Sequence, residues 1–157
     1  MNLNVLWLII IAQLIHVGIE ENPRFVEWAK TFQPDFDRRQ FLLGNAVIGA
    51  YMLIAVGLAV FLPGKWTLAL GLSTASYIVF NFIYHAATTL AYKKYSPGVI
   101  TGAFFNAPAA GFVYAHFYTS GALGPVTAGI SLILGFLPMI LILKNIGLSP
   151  AGEKKEE

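Results

Sequence analysis

From Leu3 to Ile146 the chain passes through apolar stretches long enough to cross a bilayer, broken only by short clusters of charge. A helix needs about 20 residues for that crossing. Within the hydrocarbon every backbone polar group must be satisfied inside its own segment, which helices achieve. The chain is 57% hydrophobic and 11% charged, against about 25% charged in an average soluble domain. No soluble domain hides that much apolar surface. The expected fold is an all-α, polytopic transmembrane bundle without a sizeable extramembrane domain.

Five spans are predicted, at about 3–19, 40–62, 66–92, 98–118 and 123–146. Together they form one transmembrane domain over 1–147, followed by a solvated tail at 148–157. No Lys or Arg precedes the first apolar stretch and no small-residue cleavage site follows it, so it reads as a span and not as a signal peptide. With five spans, Arg24, Lys30, Arg38, Arg39, Lys93, Lys94, Lys144, Lys154 and Lys155 fall on one side and Lys65 alone on the other. That bias puts the C-terminus in the cytoplasm and the N-terminus outside, taken to be across a bacterial inner membrane. In the first cytoplasmic loop, Phe25, Trp28, Ala29 and Phe32 recur at helical spacing. They predict a short amphipathic helix lying in the membrane interface. Pro108 and Pro138 fall inside spans and predict kinks. Gly98 and Gly102 form a close-packing pair. The fifth span has only Thr127 and Ser131 as polar groups and is expected at the periphery.

Counting at about 1.5 Å per residue places His16, Asn45, Asn81, His85 and Asn106 all in the cytoplasmic half of the bundle. Gln13, His16 and Glu20 make one stripe of the first helix, and Thr74, Tyr77, Asn81, His85 and Thr88 a longer one on the third. Such stripes turn away from lipid, and two at one depth should meet. Glu21 points about 140° from His16 on an ideal helix. Ionisable residues inside spans mark functional sites by default. The expected catalytic set is His16, Glu20, His85 and Asn81, with His16, Glu20 and His85 as metal ligands and Glu21, Asn45, Asn106 and Tyr77 in support. His116 and the three tryptophans read as interfacial anchors.

"HVGIEE" at 16–21, "NFIYH" at 81–85 and "YSPGVITG" at 95–102 together resemble the HXXEE-motif family of integral membrane proteins, over roughly residues 10 to 120. Asn81 and His85 match the family's N-x-x-x-H element. The spacing here is H-x-x-x-E-E, one residue longer than the family name, with Gly18 a place to absorb the irregularity. The family's H-x-x-x-N element is absent. The resemblance implies a site at these residues and no particular activity.

Two imidazoles and a carboxylate suit acid–base chemistry or a two-His-one-carboxylate metal site. The preferred reading is a membrane-embedded enzyme acting on an apolar lipid or isoprenoid-like substrate, with a divalent metal as candidate cofactor and membrane lipid as surroundings. Alternatives are a small transporter or proton relay, a haem-binding electron-transfer protein with His16 and His85 as axial ligands, and a structural or partner-binding membrane protein. The chain has no cysteine, which removes thiolate chemistry, and a net charge of +2 gives no reason to expect nucleic acid.

Overall fold

A computed structural model describes residues 2–146, all helices and connecting turns, with no strand among the described residues. The expected tail at 148–157 lies outside them.

The first helix, α1, runs Leu3–Ala29. It begins with a 3-10 turn, Leu3–Leu6, started by the Asn2 side chain accepting from the Asn4 amide. It continues as α-helix over Trp7–His16, widens to a π-helical turn over Val17–Glu21, and resumes as Asn22–Ala29. Pro23 lies just past the wide turn. A proline inside a helix lacks the amide that would bond back four residues, and its ring crowds that carbonyl, here Ile19. Widening the turn moves the carbonyl away. The predicted interfacial helix is therefore the end of α1 and not a separate element. Its apolar face packs on protein, with Phe25 and Trp28 buried against Phe36, Phe41 and Tyr84.

Helix α2, Arg38–Phe61, opens with a capping box in which Asp37 accepts from the Gln40 amide and the Gln40 side chain accepts from the Asp37 amide. It stops before Pro63-Gly64. Helix α3, Lys65–Tyr92, ends as Lys93 turns left-handed. Helix α4 is unbroken over 99–119 and repeats the pattern of α1: Val99–Thr101, a π-helical turn Gly102–Asn106, then Ala107–Thr119 with Pro108 two residues past the wide turn. Helix α5, Pro125–Ile146, carries Pro138 inside it.

Among the described residues, four helices are long and apolar enough to cross a membrane: Leu3–Ala29, Arg38–Phe61, Lys65–Tyr92 and Pro125–Ile142. Helix α4, with Asn106, Pro108 and His116, is not among them. Large apolar side chains such as Leu14, Leu43, Phe61, Leu90 and Phe104 cover the outside of the bundle, the solvent reversal expected in lipid.

Helix α3 is the axis, and α2, α4 and α5 pack on it. Small residues set the approach. Gly135 of α5 leaves no room for a Cβ against Ser73 and Ser76, and Gly102 of α4 is equally tight on Phe82. Tyr114 of α4 hydrogen-bonds Ser76 on α3 and Ser131 on α5. Helix α5 lies at the edge of the bundle and packs chiefly on α3. The close glycine contact holds it.

Candidate functional site

The polar stripes of α1 and α3 meet. The imidazoles of His16 and His85 are both fully buried, with ring centroids 5.4 Å apart. The carboxylate between them belongs to Glu21. Its Oε1 lies 2.9 Å from His85 Nε2 and 3.4 Å from His16 Nε2. One ligand atom from each of the three side chains lies within 4.8 Å of the others. A tetrahedral ion with bonds of about 2.0–2.1 Å would hold its ligand atoms about 3.3 Å apart, close to the two distances from the carboxylate to the imidazoles.

Glu20, expected beside the imidazoles, is elsewhere. Its carboxylate caps the start of α4, accepting from the Thr101 amide at 2.8 Å, the Thr101 hydroxyl at 2.6 Å and the Ile100 amide at 3.4 Å. The π-helical turn explains the exchange. On an α-helix the residue five positions on is about 140° away. In a π-helical turn hydrogen bonds run from i to i+5, and the amide of Asn22 indeed bonds the Val17 carbonyl. Widening the turn swings Glu21 round toward His16 and leaves Glu20 facing α4.

Hydroxyls orient both rings. The one proton of the Thr101 hydroxyl goes to Glu20, so its oxygen accepts from His16 Nδ1–H at 2.8 Å. His16 Nε2 then carries its lone pair toward Glu21, buried and with no hydrogen-bond partner. His85 Nδ1 lies 2.9 Å from the Ser96 hydroxyl. An Nδ1 tied to an outer partner with Nε2 turned inward is how metal-binding histidines are held. Gly98 backs His85: a Cβ there would sit 2.7 Å from the ring, and its φ of +123° suits glycine. Phe25 and Tyr84 stand edge-on to His85.

A cavity of about 460 Å³ opens beside the cluster, between α2 and α5 with α3 as its floor. Glu21, His85, Asn81, Tyr77 and Asn45 all line it. Asn81 is buried and its carbonyl oxygen has no hydrogen-bond partner. The Asn45 amide is spent on the Phe41 carbonyl of its own helix. Asn106 stands apart from both cluster and cavity, donating to Gln13 at 3.3 Å. Thr101, Ser96 and Gly98 were missed as site residues. All three lie in the YSPGVITG stretch at 95–102 that carries the family resemblance, where the Pro97-Gly98 pair marks a helix start.

The haem arrangement meets an obstacle. Glu21 sits within 3.4 Å of both Nε2 atoms, in the space a macrocycle held between two axial histidines would have to pass through.

The profile of the family described as "Protein of unknown function with HXXEE motif" matches residues 7–114, well over half of the chain. No curated protein and no solved structure matches it.

Proposed function

The chain belongs to the HXXEE-motif family of proteins of unknown function, and we propose that it is a membrane-embedded enzyme whose His16, Glu21 and His85 hold one divalent metal ion. The observation that carries this reading is the buried, partnerless Nε2 of His16 facing a carboxylate oxygen. Two acceptors face to face are unfavourable in a low-dielectric interior unless a proton or a cation lies between them. Three protein ligands with positions left over is the pattern of a catalytic site. When bound, the ion supplies a Lewis acid beside the cavity. Glu21 reaches both ion and cavity, so its second carboxylate oxygen is the group to handle a substrate proton, while His85, with Nε2 toward the ion and Nδ1 on Ser96, positions the ion. Asn81 and Tyr77 line the wall where a substrate's polar group would lie. The apolar remainder of the wall favours a lipid or isoprenoid-like substrate.

The same reading takes α4 as a fifth span, since its polar residues Thr101, Asn106 and Tyr114 point to protein partners. The cluster then lies toward the cytoplasmic side, with the N-terminus outside and the cytoplasmic end of α1 lying along the interface.

Cobalt(II) titration of purified protein tests the metal centre. One equivalent should bind with visible absorption bands. His16→Ala, His85→Ala and Glu21→Gln should each weaken binding by more than tenfold, and Glu20→Gln should not. Absence of a cobalt spectrum in the wild type, together with no divalent metal in freshly purified membranes, would reject the centre.

A further inference from the structure

We propose that the cavity beside the cluster is a chamber for one neutral, hydroxyl-ended lipid chain, taken in sideways from the bilayer between α2 and α5. This deepens the enzyme reading, on which it rests, by naming the class of molecule that the centre acts on.

The volume of about 460 Å³ lies in the range of pockets that enclose a single small ligand. One chain fits that space, whereas a diacyl lipid would leave its second chain outside. The way in is marked by residues that line the cavity and also face outward: Leu43 and Val47 on α2 and Leu141 on α5, each more than half exposed on the lipid-covered surface. Pro138 lines the same gap. Gly44 leaves it open, since nothing lies within 4 Å of where its Cβ would be.

The inner end is polar and unfinished. Two buried groups lining it have no partner: the Asn81 carbonyl oxygen, which needs a donor, and the Tyr84 hydroxyl, which takes either role. Each unsatisfied group costs about 1–3 kcal/mol, a penalty that a ligand can remove. A hydroxyl both donates and accepts, so one such group can serve both. Among the described residues no Lys or Arg lines the chamber and its acidic group is Glu21, so a phosphate or carboxylate head along this wall would meet no cationic side chain among them. Thr88 donates to backbone carbonyls, and the Asn45 amide to the Phe41 carbonyl.

Trp28 reports on occupancy. It is buried in aromatic contact with Tyr84 and Phe25, both of which line the chamber. In a Trp7→Phe/Trp66→Phe background in detergent, brominated stearyl alcohol should quench Trp28 fluorescence saturably. Unbrominated stearyl alcohol should reverse it. Asn81→Leu should weaken the effect by about five- to tenfold, and Gly44→Leu, which fills the space with a good helix former, should abolish it. Equal quenching by brominated stearate or brominated phosphatidylcholine overturns the proposal, as does quenching that Gly44→Leu leaves unchanged. Cobalt titration of the same samples separates the two readings. Cobalt binding without saturable quenching overturns the chamber alone. Saturable quenching without cobalt binding supports the chamber and overturns the metal centre.

Discussion

Adjacent carboxylates, Glu20 and Glu21, have unlike surroundings. Glu21 faces two imidazoles, while Glu20 faces two amides and a hydroxyl of α4. Glu20→Gln keeps the shape but gives up the charge-assisted part of those bonds, so its effect should fall on folding. We expect destabilisation of about 1–3 kcal/mol, read as a lower melting temperature in detergent, with cobalt affinity retained. Thr101 belongs to both sides, donating to Glu20 and accepting from His16. Thr101→Val removes the partner that orients the ring and should lower cobalt affinity by about 10–100-fold, the usual cost of losing such a contact. Thr101→Ser should largely restore it. Gly98→Ala forces a methyl onto the His85 ring and strains a left-handed backbone at once. It should remove cobalt binding even where the protein still folds, which near-wild-type far-UV circular dichroism would establish.

At the scale of elements, the π-helical turn of α1 accounts for the family motif's altered spacing. A π-turn is one extra residue inside an α-helix, and H-x-x-x-E-E has one residue more than HXXEE. In plain α-helix the shorter spacing puts its second glutamate at i+4, over the histidine. Here Glu21, at i+5, is brought to the corresponding place by the wide turn. Deleting Ile19, which is mostly exposed, should therefore let the turn close to α-helix with both flanking segments undisturbed. Cobalt affinity should stay within about tenfold of wild type. Loss of the site in a folded deletion variant would sink this account. The meeting of His16 and His85 was legible in the sequence because equal depth and a polar stripe are properties of a regular helix, which counting recovers. The choice between Glu20 and Glu21 was not legible, because it depends on a local departure from 3.6 residues per turn. Pro23 and Pro108, each two residues beyond a wide turn, are the sequence signal for it. The chamber was illegible for another reason: its walls come from four helices at once, and no single segment encodes it.

For the whole molecule, the cluster is asymmetric along the bundle axis, so orientation decides which side of the membrane the chemistry serves. Helix α3, at 28 residues, is about 42 Å long and exceeds the roughly 30 Å hydrocarbon core. Lys65 begins it and Lys93 and Lys94 follow it. His85 is seven residues from the Tyr92 end, the end that Arg24, Arg38 and Arg39 share by the five-span count. The proposed orientation, by the positive-inside bias, takes that end as cytoplasmic. The chain has no cysteine, so single introduced cysteines can be read without background. A membrane-impermeant maleimide should label Lys65→Cys in intact cells and Lys94→Cys only after permeabilisation. The reverse pattern would turn the molecule over and move the site to the outer leaflet. Ser120→Cys, exposed at the far end of α4, then decides the span count. Labelling in intact cells makes α4 a full crossing and gives five spans, whereas labelling only after permeabilisation makes it a re-entrant segment. A re-entrant α4 would start α5 on the cytoplasmic side and run it antiparallel to α3, whereas the two helices run parallel, with Gly135 beside Ser73 and Phe136 beside Phe80. The polar contacts from Tyr114 to Ser76 and Ser131 tie α4 to both helices at one level, and a crossing satisfies them with all three helices sharing one slab of lipid.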